Sequence, residues 1–111
     1  MLCARTTADH RRNCVVHLRH GPENEGVRGR QVDKILEYAR SWQRHTISGD
    51  FNLGSRDDAF KKLLDAGYVD IVPGRVTHVL AKGPITATGG SAPSQETSDH
   101  PMTRAWVDWA N

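Results

Sequence analysis

Two short stretches near the start of the chain have the residue pattern of β-strands. Leu2–Thr7 predicts one strand, and Asn13–Leu18, with the β-branched Val15 and Val16 at its centre, predicts a second. The residues between them are mostly polar and would turn the chain. The two strands are therefore expected to form a hairpin.

Further along, the spacing of the apolar residues changes to that of a helix. Between Glu25 and Arg44 the apolar positions recur on one face, and these are Val32, Ile35, Leu36, Ala39 and Trp42. The strand-like segment HTISGDFN follows directly. The order strand, helix, strand predicts two parallel strands joined by a right-handed crossover.

The second half of the chain predicts one more helix and several strands. Ser55–Ala66 has a capping residue at its start and Gly67 at its end. The segments YVDIV, RVTHVLA, PITAT and MTRAWVDWA are strand-like, and the polar loop GGSAPSQETSDH precedes the last of them. The pattern as a whole predicts an α+β fold in which one mixed β-sheet carries two helices on one face.

Composition narrows the class of protein. A chain of 111 residues suits one small domain, and a formal charge of +2 does not by itself indicate nucleic-acid binding. No apolar run is long enough to cross a bilayer, so no membrane span is expected. The first residues lack the apolar core of a signal peptide, and we expect a cytoplasmic protein in which Cys3 and Cys14 are reduced thiols.

Asp50 and Asn52 stand two residues apart where a strand ends. On an extended backbone this spacing would direct both side chains to one face, while Phe51 would point away. A carboxylate and a carboxamide on one face can form a metal or phosphate site. Asp and Asn are also common in turns, so ordinary turn chemistry is the alternative.

Two other predicted strand ends carry polar groups. Asp99 and His100 lie at a junction between a loop and a strand, and His17 ends the second strand. An Asp–His pair can bind a metal or transfer a proton near neutral pH. For His17 alone, a core or hydrogen-bonded histidine is the alternative. His17 and His20 together would be a pair of zinc ligands, but their spacing is not specific for a zinc site. The basic residues Arg28 to Arg30 are expected to lie on a solvated helix face, and contact with a phosphate backbone is the alternative.

The order of several motifs resembles the endonuclease/exonuclease/phosphatase superfamily, which includes deoxyribonuclease I and the abasic-site endonucleases. The motifs are VVHL, Arg28 with Gln31 on a helix, SGDFN, RVTHVL and TSDHPM, and they span roughly Leu2 to Trp109. The resemblance is to the second half of that family. It implies that residues 1–111 are the C-terminal half of a two-sheet α/β sandwich.

The resemblance also implies a chemistry, which is hydrolysis of phosphoester bonds with Mg²⁺ or Mn²⁺. By residue, Asp50 would orient or deprotonate the attacking water or join a second metal site, and Asn52 would contact the scissile phosphate. His100 and His17 would contact the phosphate, and Asp99 would lie close to the metal. The implied substrate is a nucleic acid or another phosphodiester. The motifs do not distinguish between these.

Two departures from the family pattern bear on activity. Thr77 stands where the family has an Asp that supports the histidine of the TSDHPM motif. The metal-binding Glu and an Asn of the family's first half have no counterpart in the chain. We therefore expect weak metal binding and weak or no hydrolysis, and the alternative is a non-catalytic homologue that acts as an interaction module or is a remnant.

The half-domain interpretation leaves one sheet face uncovered. That face is expected to carry apolar residues of several strands, among them some of Val15, Ile47, Val76, Val79, Ala105 and Val107. An exposed apolar patch that extends over a whole sheet face marks an interface or an aggregation site. The expected consequence is self-association through this face, pairing with a separately encoded first half, or partial unfolding.

Overall fold

The computed structural model describes residues 1–73, 75–91 and 103–110, which fold into two sheets and two α-helices. The elements are β1 (Leu2–Arg5), β2 (Arg12–His17), a 3₁₀ helix (Pro22–Asn24), α1 (Glu25–Ala39), β3 (His45–Asp50), α2 (Asp58–Asp65), β4 (Val69–Asp70), β5 (Thr77–Lys82), β6 (Ile85–Ser91) and β7 (Arg104–Trp109). The α+β class with two helices is confirmed. Instead of one mixed sheet, however, the strands form a five-stranded sheet of order β1-β2-β3-β5-β4 and a separate hairpin of β6 and β7.

The first half of the chain has the predicted connections. β1 and β2 are antiparallel, and β2 and β3 are parallel with α1 as the crossover. α1 ends at Ala39, earlier than the expected Arg44, and the Trp42 N–H closes the end of the helix by donating to the Ala39 carbonyl at 3.0 Å. Neither α1 nor α2, the α-helices of the described ranges, combines the length and apolarity that a bilayer crossing requires.

The core lies between the two helices and one face of the five-stranded sheet. Strand pairing aligns Cys14 on β2 with Ile47 on β3, and Ile47 with Leu80 on β5. These three side chains are buried, as are Val32 of α1 and Phe60 of α2. Because side chains alternate across a sheet, burial of this row fixes which strand residues face the helices.

The opposite sheet face is not covered by the helices. Its central row runs through Leu2, Val15, Ser48 and Val79, and Val15 is 51% exposed. Ile47, one of the residues considered for this face, does not lie on it, because the register places it in the buried row with Cys14. The face is thus a mixture of polar and apolar groups, and self-association through it stays a prediction.

The start of α2 differs from the sequence prediction. Asp57, rather than Ser55, is the N-cap residue. Its carboxylate does not bond to the helix and instead accepts a hydrogen bond from the Gly54 N–H at 2.6 Å. This bond folds the segment after β3 back toward the helix, so the residues that follow Asp50 are held in a compact turn.

Cys3 and Cys14 form a disulfide, so the expectation of two reduced thiols is wrong. The two residues are directly opposite each other on the antiparallel strands β1 and β2, with their Cα atoms 4.1 Å apart. Residues in directly opposite positions have their Cβ atoms close enough for a disulfide to join them. The bond ties the edge strand β1 to the central part of the sheet.

A buried histidine anchors the other end of β3. The His45 ring is fully buried and lies edge-on to both Trp42 and Tyr68. Its Nδ1–H donates to the Gln43 carbonyl at 2.7 Å, and its Nε2 accepts from the Tyr68 hydroxyl at 2.7 Å. Burial lowers the pKa of His45, and burial raises the pKa of Tyr68 to about 12. Both groups are therefore built into the fold in their neutral forms.

The disulfide predicts a stability difference that depends on redox conditions. Replacing the exposed Cys3 by serine should lower the free energy of unfolding by about 3 kcal/mol, because the bond restricts the unfolded chain by closing the loop between residues 3 and 14. Denaturant titration measures this difference. With reductant present, wild type and Cys3→Ser should unfold at the same denaturant concentration. Equal stability without reductant would show that β1 is not tied to β2.

His45 predicts a loss of stability in mild acid. Its pKa in the folded protein lies below the ordinary 6.5, so below that pH the unfolded chain binds a proton that the folded chain does not. Thermal melts between pH 7.5 and 5 should show a smaller loss for His45→Gln, whose side-chain oxygen can still accept from Tyr68. Parallel pH profiles for the two proteins would contradict this prediction.

Candidate functional site

The register of three neighbouring strands sets polar residues side by side at one end of the sheet. His17 on β2 is paired with Asp50 on β3, and Asp50 is paired with Thr77 on β5. The close approach of β2 and β3 requires a glycine before Asp50, because a Cβ at Gly49 would lie 1.9 Å from the Val16 carbonyl oxygen. The glycine of the GDFN motif therefore brings Asp50 beside His17.

Asn52 lies beyond the end of β3, so it does not share a face with Asp50 by strand alternation. It adopts a left-handed backbone conformation with φ 50°, which asparagine tolerates better than most residues. Its backbone N–H donates to Asp50 Oδ1 at 2.9 Å, and its side-chain Nδ2 donates to the Leu18 carbonyl at 2.8 Å. Turn chemistry thus brings the carboxylate and the carboxamide together.

These groups line one open pocket. Its walls are formed by His17, Leu18, Arg19, His20, Asp50 and Asn52. His17 Nε2 lies 3.8 Å from Asp50 Oδ2, and the His17 side chain is 76% exposed while that of Asp50 is 22% exposed. His17 is therefore not a core histidine. An imidazole, a carboxylate and a carboxamide converge on accessible space, where they can bind an anion or a hydrated cation.

A buried layer beneath the pocket holds the segment after β3. The Phe51 ring is fully buried on the opposite side of the backbone from the pocket residues, and its N–H donates to the Val76 carbonyl at 2.9 Å. His78, also fully buried, donates from Nε2 to the Leu53 carbonyl at 2.7 Å and stacks on the Phe60 ring at 4.2 Å. These contacts fix the backbone on both sides of Asn52.

The His78 ring has a second polar contact. Its Nδ1 lies 3.2 and 3.3 Å from the two carboxylate oxygens of Asp70 on β4. The neighbouring Thr77 points to the open face beside Asp50, where the resemblance would place an aspartate. His78 is thus a buried core residue. At position 77, where the family pattern has an aspartate, this strand has a threonine and no carboxylate.

Sequence reasoning missed the role of Arg28. Expected on a solvated face, Arg28 is only 8% exposed, and its Nη1 donates to the carbonyls of Arg19 at 2.9 Å and Gly21 at 2.7 Å. Its neighbour Gln31 accepts from the Arg19 N–H at 3.0 Å. The missed signal was the spacing, because Arg28 precedes Val32 by one helical turn and so lies on the buried stripe.

Two of the sequence-predicted site residues, Asp99 and His100, lie outside the described residues. Within residues 1–73, 75–91 and 103–110, no three side chains of the types that ligate metals cluster together. Asp50 is the carboxylate that lines the pocket. One carboxylate with an amide and water fits the oxygen preference of Mg²⁺, but it gives only a weak anchor.

Comparison with solved structures places this fold among larger domains. The chain matches a conserved protein of unknown function from Enterococcus faecalis V583 (TM-score 0.66, 19% identity) over 90% of this chain and 50% of that one. It also matches the human Nocturnin catalytic domain with a bound sulfate anion (TM-score 0.57, 16% identity) over 96% of this chain and 51% of that one. The chain thus spans about half the length of these structures. At such identities the likeness shows the fold alone.

Comparison by sequence gives no family. No family model and no curated protein matches the chain. The superfamily resemblance therefore rests on the sequence motifs.

The bond between Asn52 and Leu18 predicts the effect of a nearly isosteric change. Asn52→Asp replaces the donor with a carboxylate that faces the Leu18 carbonyl and Asp50, so the free energy of unfolding should fall by roughly 2 kcal/mol. Asn13→Asp is the matched control, since Asn13 Oδ1 accepts from Thr46 at 2.8 Å and the aspartate keeps this acceptor. Denaturant titration of both variants tests the prediction, and equal losses would contradict it.

Proposed function

We propose that this chain is the phosphate-binding half of a metal-dependent phosphoesterase-type domain, related to the endonuclease/exonuclease/phosphatase superfamily. The observation that carries the proposal is the strand register that sets His17 beside Asp50, with Asn52 bonded to both Asp50 and the end of β2. The likeness in fold to the Nocturnin catalytic domain supports it. That domain binds sulfate, which has the tetrahedral oxygens of a phosphate.

The roles of the described residues follow from their atoms. Asn52 donates one amide hydrogen to Leu18, and an amide nitrogen carries a second hydrogen for a phosphate oxygen. His17 offers an exposed ring nitrogen on the same side. Asp50, held at Oδ1 by the Asn52 N–H, presents Oδ2 toward His17, where a carboxylate can accept a proton from an attacking water.

A divalent cation completes this proposal. Mg²⁺ or Mn²⁺ would be held by Asp50 together with Asp99, and His100 would add a further phosphate contact. When bound, the cation would neutralise charge on the phosphate oxygens. Of the described residues, His17 and Asn52 would bind and orient the phosphate group, and Asp50 would accept the proton of the attacking water.

A second candidate function is a non-catalytic interaction module. It is favoured by the coverage of the matched structures, about half, and by the open sheet face with Leu2 at 74% and Val15 at 51% exposure. In this version the face packs on a second copy or on a separately encoded first half. The phosphate site would then be a remnant.

Phosphate binding tests the proposed site directly. Titration of the chain with inorganic phosphate should shift the backbone amide resonances of His17 and Asn52 saturably. The shifts should weaken in Asn52→Gly, which keeps the left-handed backbone but removes the amide. Saturable shifts only at other residues would contradict the proposed site.

Turnover separates the two candidate functions. With Mg²⁺ or Mn²⁺, we expect the chain to hydrolyse a generic phosphodiester slowly, and Asp50→Asn to reduce that rate at least about tenfold. Asp58→Asn, an exposed change on α2 with the same loss of charge, should leave the rate unchanged. Phosphate binding without turnover would favour the interaction module. Turnover that survives Asp50→Asn would contradict the catalytic assignment.

A further inference from the structure

The loop from Leu18 to Gly21, which follows β2, has an unusually constrained backbone. All four of its carbonyl oxygens accept hydrogen bonds from side chains. Asn52 bonds to Leu18 at 2.8 Å and Asn24 to His20 at 2.9 Å, while Arg28 bonds to the other two carbonyls. The backbone of this 18–21 loop is therefore set before any ligand arrives.

These bonds also decide where the charges of the loop lie. The partially negative carbonyl oxygens accept hydrogen bonds from side chains of α1, of the 3₁₀ helix and of the turn after β3. They are therefore already paired with donors. The side chains of Arg19 and His20 are exposed and line the pocket that also contains Asp50 and Asn52. Within the described part of the chain, no carboxylate forms an ion pair with Arg19.

We propose that Arg19, assisted by His20, is a subsite for a second phosphate group of the ligand, next to the group bound at Asp50 and Asn52. This inference rests on the proposed phosphate site and extends it to a substrate class, namely compounds with two or more phosphate groups. A guanidinium binds phosphate oxygens through two parallel hydrogen bonds, and a fixed loop avoids an ordering cost on binding.

The shared chemistry is a pair of neighbouring phosphates, and two sources provide it. One is a nucleic-acid strand, in which each phosphodiester has phosphate neighbours. The other is a small nucleotide with two separate phosphates. The experiment therefore compares adenosine 3′,5′-bisphosphate, a five-nucleotide single-stranded DNA and, as the single-phosphate reference, adenosine 5′-monophosphate.

Calorimetric or NMR titration without metal gives the dissociation constants of the full chain for the three ligands. We expect the bisphosphate to bind about five- to tenfold more tightly than the monophosphate, with the difference decreasing as salt is raised. Arg19→Ala should abolish this preference. Arg40→Ala is the control, because it removes the same charge from an exposed residue just after α1, away from the pocket.

Three outcomes overturn the inference. They are equal affinity for bisphosphate and monophosphate, equal effects of Arg19→Ala and Arg40→Ala, and a preference that survives Arg19→Ala. An Arg19-dependent preference for the bisphosphate supports it. If the oligonucleotide binds more tightly still, and through Arg19, the source is a nucleic-acid strand.

The test is separable from that of the proposed function. Phosphate binding at Asn52 without preference for the bisphosphate would refute the second subsite and leave the first intact. An Arg19-dependent preference for the bisphosphate would support the second subsite. A hydrolysis rate that is unchanged in Asp50→Asn would at the same time refute the catalytic role of Asp50. Because Arg19 is exposed, its replacement tests binding in a folded chain.

Discussion

The parallel pairing of β2 with β3, in the register that sets His17 beside Asp50, is the constraint on which the site depends. The same register aligns Cys14 with Ile47 and buries both under the helices. A shift by one residue would expose Ile47 and turn Asp50 toward the core, so the hydrophobic effect holds the site geometry in place. The polar end of the sheet thus gains its precision from apolar residues in the middle of the strands.

The backbone beyond the strands is held by polar contacts of a different kind. Asn52 ties the end of β3 to the end of β2, Arg28 ties the next loop to α1, and His78 holds the Leu53 carbonyl from below. All three side chains donate to main-chain carbonyls. Because each bond lies in a mostly buried setting, its loss would leave an acceptor unsatisfied, which is costly. The exposed groups of the pocket can therefore vary in sequence without loss of the loop geometry.

Much of this fold could be predicted from the sequence, because its strands and helices follow clear periodicities. The hairpin of β1 and β2, the crossover through α1 and the two helices on one face were predicted and are observed. The separate β6–β7 hairpin was not, since strand-like segments do not reveal which partner they choose. The disulfide was missed because it requires the register of β1 and β2, which places Cys3 opposite Cys14.

The site was predictable in its residues more than in its geometry. Asp50 and Asn52 were expected to meet by strand alternation, yet they meet through a left-handed turn that uses the same two side chains. The burial of Arg28 was not predicted, because a charged residue is usually exposed. Its position one helical turn before Val32 places it on the buried side of α1. Asp99 and His100 lie outside the described residues, so their roles stay predictions.

The central claim is that His17 and Asn52 form one half of a phosphate site beside Asp50. A crystal structure of the chain grown with tungstate, a tetrahedral oxyanion with a strong anomalous signal, tests it most directly. The account predicts an anion within about 3.2 Å of both the Asn52 amide and a His17 ring nitrogen. An anion bound only at the opposite end of the sheet, near Arg12 and Arg44, would contradict it.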